Sequence, residues 1–383
     1  MYVLNKLFNR MSNKPKKMYP KVSMNSLSSK VNLIVSSTNG LLGNGLFVLL
    51  LLSTQFRFLV KLSETSLDST FSVSPETIIY CLIEIYLICL FHFKFDKKFI
   101  HQVHQIWQLL MIDFDHSTRC YFAIQRSSYR KMIIITYFFM WIPDLVLDAA
   151  PWPYTWVSSF ECMIEMLLSE PSLHFWSRVF VLVILYPACL MQDFIIIDSA
   201  FSSQSALHYI NNQLAIIDKH LKMNDVKLDI QVIQDLRVKY VLTHRLVKKL
   251  GSFLNPCLFG IFSYYVSILN VKIYNILFIE HEQSDLILLL IDCFGTIAEL
   301  FLLIIPIAAI TTKSREFYTT LYKLTFRTDS FKDLNEISLF LYRMSLNNIG
   351  FTFGGIFMIT RDFISSLIAV TVTIIIAIPF FIS

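Results

Sequence analysis

Eight ionisable residues stand inside stretches that are otherwise apolar: Glu84, Asp144, Asp148, Arg178, Asp193, Lys272, Asp292 and Glu299. A charge at the centre of an apolar membrane helix costs roughly 2.5–3.5 kcal/mol on insertion scales, so each needs a partner or a wet cavity. Aromatic residues accompany them. Trp141, Trp152, Trp156 and Trp176 fall towards the same ends of these stretches, as do Tyr80 and Tyr274. One reading is an aromatic belt at a membrane interface with one or two ion pairs, such as Arg178 with Asp144 or Asp148. The other is an aromatic-walled pocket with a few polar groups, the usual make-up of a small-molecule site. On that reading the pocket residues are Tyr80, Glu84, Trp141, Asp144, Trp176, Arg178, Tyr274 and Asp292.

This is chemistry of recognition, not of bond making. GxSxG, GxxxxGK[ST] and HExxH do not occur, and the nine His do not cluster; His101 and His104 fit a solvated helix face. The seven Cys are scattered without a CxxC pair, which supports neither a disulfide framework nor a metal site. No enzyme activity, cofactor or metal is expected.

The elements that carry these residues are membrane helices. The hydrophobic fraction of 55% and mean hydropathy of +0.57 exceed the roughly 45–50% apolar content of ordinary soluble domains. Uncharged windows give seven candidate spans, at 33–54, 74–93, 131–150, 172–197, 254–279, 285–312 and 358–383. Residues 1–30 hold seven Lys/Arg, no acid and no apolar core of a signal peptide, so the first span is expected to act as a signal anchor. With the amino terminus inside, 28 of the 33 Lys and Arg residues fall on the inner side. That bias predicts an all-α polytopic membrane protein with the amino terminus inside and the carboxyl terminus outside. The basic balance therefore reports topology, and no nucleic-acid partner is implied. Residues 1–32 form a cytosolic segment ahead of a single domain, 33–383.

The inner connections, 94–130, 201–253 and 311–354, are too patterned to be loops. Phe99, Val103, Ile106 and Leu110 repeat at helical spacing, as do Ile233, Leu236, Tyr240, Val247 and Leu250, and Leu334, Ile337, Leu341 and Met344. These stripes predict cytosolic helical extensions that pack either within one chain or between subunits. The outer loops are short and carry no glycosylation sequon, so a ligand must enter among the helices.

The last span, 358–383, carries Ser365, Ser366, Ala369, Thr371, Thr373 and Ala377 on an apolar background. Such residues allow close helix packing or line a path that is wet part of the time. As a pore helix it would place Thr373, Ile376 and Ala377 on the wet face, with Phe380 and Phe381 as an apolar gate beside Pro379. One helix cannot enclose a pore, so this reading requires a symmetric oligomer.

In two places the sequence resembles the insect gustatory receptors, of the chemoreceptor superfamily that also holds the odorant receptors. Gly355-Ile356-Phe357, Arg361-Asp362 and the run from Thr373 to Phe381 follow that family's final span, with Ile374 where it has Tyr and Phe380 where it has Gln. Leu236-Arg237, Tyr240, Leu246-Val247 and Leu254-Asn255 are similar to its helix leading to a Leu-Asn pair. The resemblance implies a homo- or heterotetrameric ligand-gated cation channel of the plasma membrane, opened by a small organic tastant. In it Thr373 faces the central pore, Phe380 and Phe381 form the outer gate, the cytosolic helices make the subunit contacts and the ligand sits in the outer half. A subunit without the Gln could also conduct only beside a partner that supplies it. A G-protein-coupled receptor is the alternative; it predicts the opposite orientation, and its Glu/Asp-Arg-Tyr and Asn-Pro-x-x-Tyr motifs do not occur.

Overall fold

A computed structural model describes residues 40–66, 75–149, 186–224, 229–278 and 283–382, except 329 and 347. The described chain is almost entirely helical. Its helices are α1 (Leu41–Ser66), α2 (Pro75–Lys94), α3 (Lys97–Leu110), α4 (His116–Ala149), α5 (Tyr186–Asn224), α6 (Ile230–Phe278), α7 (Gln283–Glu316), α8 (Tyr318–Thr325), α9 (Phe331–Leu346) and α10 (Arg361–Ile382).

Span and extension prove to be one continuous element in α5, α6 and α7. At 1.5 Å per residue the 49 residues of α6 reach about 74 Å, more than twice the ~30 Å of a hydrocarbon core. Among the described residues, Ile230–Phe278 and Leu286–Thr325 are long and apolar enough to cross a membrane, with a shorter apolar stretch at Leu41–Phe56. The outward faces of the bundle are apolar as well, for example at Ile134, Ile135, Phe138, Phe139, Ile287 and Phe294.

Most of each stripe on the extensions is buried within the chain itself, with Ile106 and Leu341 half-buried and Leu334 exposed. Phe99, Val103 and Leu110 of α3 lie against α6, and the rings of Phe91, Phe95 and Phe99 surround Phe253 at 5.0, 5.2 and 5.7 Å. On the opposite flank Tyr240 of α6 meets Phe317 at 5.8 Å and Phe340 of α9 at 5.7 Å. Burying each such ring contributes about 1.5–3 kcal/mol, so α6 is the spine on which the extensions collapse. Arg237 Nε donates to Glu336 Oε1 at 2.5 Å and fixes the register of α9 on α6.

Two features break the expected helical run. The 94–130 connection is two helices, because the side chain of Asp96 caps α3 by accepting from the Phe99 amide, Met111 ends it in a left-handed conformation, and Asp115 caps α4 by accepting from the Thr118 amide. The 311–354 connection ends in a two-stranded antiparallel hairpin, β1 (Thr352–Phe353) and β2 (Phe357–Met358). Gly354 and Gly355, at φ +61° and +83°, supply the turn that side-chain-bearing residues resist.

Candidate functional site

The hairpin hands the chain from α9 to α10. Phe353 sits among Phe259, Phe262 and Phe363 at 5.1, 6.2 and 5.7 Å. The Thr352 amide donates to Asn255 Oδ1 at 3.0 Å, beside Pro256, which interrupts the hydrogen-bond ladder of α6. Gly350 passes so close to α7 that a Cβ there would lie 2.5 Å from Thr311 Oγ1. The base of this junction, at Phe351 and Ile359, is buried, while its tip at Ile356 and Phe357 is exposed.

Beyond it, α10 leaves the body of the chain. Thr360 Oγ1 caps its start by accepting from the Phe363 amide at 3.1 Å, and Phe363, Ile364 and Leu367 rest on the core. At 100° per residue Thr373 and Ile376 lie on the far side of the helix from those three, whereas Ala377, expected on the same wet face, falls beside Phe363 at the edge of the packed face and is half-buried. Thr373 is exposed, with its Oγ1 turned back to the Ala369 carbonyl at 2.8 Å, and Ile376 is 62% exposed. The side chains of Phe380 and Phe381 lie outside the described residues. One face of α10 thus rests on the chain, and among the described residues nothing covers the face of Thr373 and Ile376.

The expected pocket is only partly within the described residues. Trp176 and Arg178, and the side chains of Tyr80, Trp141, Asp144 and Asp148, lie outside them. Glu84 is half-buried on α2, and Tyr274 packs its ring on Phe278 at 5.1 Å. Asp292 is held by Lys272 of α6, whose Nζ lies 2.6 Å from its Oδ2 and donates to Thr296 Oγ1 at 2.8 Å.

Four helices bring further polar side chains together inside the bundle. Tyr137 of α4 donates to Asp193 Oδ2 of α5 at 2.8 Å, and Glu299 of α7 lies within hydrogen-bonding reach of Asp193, Tyr137 and Tyr265 of α6. Asp193 and Glu299 stand out in the sequence as charges in apolar runs; their meeting does not, because it joins elements far apart in the chain. A second buried acid, Asp198, is gripped by Arg126 Nε at 2.9 Å and by both Nε and Nη2 of Arg130.

At the inner end of the bundle the Tyr121 hydroxyl donates to Gln204 Oε1 at 2.7 Å, and Gln204 Nε2 donates to the Pro306 carbonyl at 2.6 Å. Lys313 Nζ donates to the same Tyr121 oxygen and sits over its ring, and His208 stacks on that ring at 4.4 Å. Burial, with Lys313 nearby, pushes the His208 imidazole down to about 4; burial likewise brings Lys313 down to about 8. Together these contacts lock α4, α5 and α7.

No protein-family model matches the sequence, and no curated protein matches it. Solved structures do match. The insect olfactory receptor OR5 from Machilis hrabei superposes with a TM-score of 0.61 at 12% identity, over 98% of this chain and 98% of that one. The same receptor in complex with eugenol superposes with a TM-score of 0.60 at 12% identity, over 96% and 94%. At such identity the likeness is one of fold. Over nearly its whole length the chain is folded as that olfactory receptor is.

Proposed function

We propose that this chain is a chemoreceptor subunit of the gustatory type that assembles, as a homo- or heterotetramer, into a ligand-gated cation channel of the plasma membrane. Seven spans run with the amino terminus inside, and a small organic tastant binds in the outer half of the bundle. The observation that carries the reading is the two-sidedness of α10: its base is fastened to the chain, while the face of Thr373 and Ile376 is uncovered among the described residues. A central pore shared by four copies would use that face, with Phe380 and Phe381 as its gate. The fold shared with an insect olfactory receptor supports the same reading, as do the gustatory-receptor-like residues around Gly355 and Thr373. Of the residues expected in the pocket, Glu84, Tyr274 and Asp292 are described, an aromatic ring and two acids of the kind such a site uses, with Asp292 paired to Lys272.

Binding can open such a channel only through a difference in affinity between its closed and open states. Moving from 1% to 99% open takes about 5.5 kcal/mol, which four sites can share. The test is whole-cell current in cells expressing this chain alone, screened against sugars and bitter compounds, beside Phe380→Gln. A ligand-evoked cation current altered by the substitution is expected. An amino terminus labelled from outside intact cells would overturn the reading in favour of a G-protein-coupled type of receptor.

A further inference from the structure

Asp193 and Glu299 pose a problem of charge inside the helix bundle. Both are buried, 3% and 1% exposed, and they lie side by side. Among the described residues no Lys, Arg or His pairs with either. The nearest ammonium, on Lys272, is committed to Asp292 and Thr296. Two acids in that setting require a shared proton or a cation between them.

A second observation points to an occupant: Glu299 Oε1 is buried and accepts no hydrogen bond. A carboxyl oxygen in this position has lost its hydration without replacement, and it calls for a donor. The surrounding groups indicate which donor. Two phenols, Tyr137 and Tyr265, bring hydroxyl oxygens to the acids, a neutral oxygen set that suits a monovalent cation. A divalent metal would need more ligands, and no group of three or more His, Cys, Asp or Glu suits one among the described residues. A neutral polyol would satisfy the orphaned oxygen but leave the charge unanswered. Asp292, Thr296 and Glu299 recur at helical spacing along α7, so a polar row leads inward from the partly exposed Lys272–Asp292 pair.

We propose that the Asp193–Glu299 pair binds a small protonated amine, ammonium or a short alkylammonium ion, admitted along the α7 row from Asp292. The amine donates to Glu299 Oε1 and to Asp193, and the proton the two carboxyls shared leaves to solvent. One positive charge replaces another, so the net charge of the site is unchanged. As a statement about ligand class this rests on the receptor reading above; as a statement about binding it does not.

The experiment is calorimetric titration of the purified full chain in detergent with methylammonium chloride, in two buffers of different ionisation heat. Tetramethylammonium, sodium and sorbitol are run in parallel. Saturable binding of methylammonium with release of about one proton is expected, with none for tetramethylammonium, which lacks N–H donors. Glu299→Gln, which keeps the shape, weakens binding about tenfold or more while the melting temperature holds; Asp193→Asn serves if that variant fails to fold. No saturable heat with methylammonium, equal heat with sodium, sorbitol binding without proton release, or binding unchanged in both variants each overturns the proposal. Amine binding by a chain whose amino terminus is labelled from outside intact cells would sink the channel reading alone. A tastant-evoked current with no amine binding would do the reverse.

Discussion

Asp193 and Asp198 lie close together on α5, both buried, and their surroundings differ completely. Asp198, wholly excluded from solvent, is clamped by two guanidinium groups from α4. Asp193 has a phenol and another acid. The first is a structural pin: its charge is answered, its geometry is forked and rigid, and it ties α4 to α5. The second meets no counter-charge among the described residues. Burial alone therefore does not separate a structural acid from a functional one; the counter-charge does.

The comparison breaks most sharply at Asp198. Replacing it by Asn leaves two arginines without their anion, and about 3–5 kcal/mol of stability should be lost, as read by thermal unfolding in detergent. A smaller loss would mean that the arginines reach water or another acid, and that the pin is dispensable.

Farther along α5, His208 tests whether a buried titratable group that the fold keeps neutral leaves a pH signature. Its folded value of about 4 lies below the ordinary 6.5, so between those limits the unfolded chain binds more protons and stability rises with pH. The contribution is complete above pH 6.5 and is lost as pH falls towards 4, a change of about 3 kcal/mol. His208→Phe should flatten that acid limb in melts taken across the range; an unchanged limb would assign it to other groups.

Removing one arm of the clamp should cost less than removing its centre. Arg126→Gln leaves Arg130 on Asp198, and a loss of about 1–2 kcal/mol is expected from chemical denaturation. A loss matching Asp198→Asn would show the two arginines acting as one unit. The smallest effect is expected at Asp193. Asn keeps the shape, accepts from Tyr137 and removes half of an acid pair, so stability should change by less than about 1 kcal/mol or improve. A loss as large as that at Asp198 would erase the distinction between the two acids.

Much of the architecture was legible before any coordinates. The stripes Phe99 to Leu110 and Ile233 to Leu250 mark helices because their period is local, and their spacing alone tells which face is apolar. Whether the stripes meet their own chain or another copy was not legible; Phe253 and Tyr240 decide it through rings contributed by distant segments. The hairpin had a signal, Gly354-Gly355 between short apolar runs, but the helical pattern on either side hid it. The expected pocket held Asp292 without Lys272, although both stood out as charges in apolar runs, since pairing across α6 and α7 is a tertiary fact. Arg126 and Arg130 read simply as inner positive charge, and in the structure they serve Asp198.

Pro256 has a further consequence. α6 is a single rod by geometry, but the ring nitrogen of Pro256 cannot donate to the carbonyl one turn earlier, so one rung of the ladder is missing. Amide hydrogen exchange should therefore divide the rod into two cooperative units that open with different free energies, the half before Pro256 protected by its aromatic nests and the half after it by the bundle. The Tyr86 hydroxyl on the Pro256 carbonyl and the Thr352 amide on Asn255 fall at the boundary between those units. A fluctuation that starts in either half meets α2 and the approach to α10 before it reaches the other.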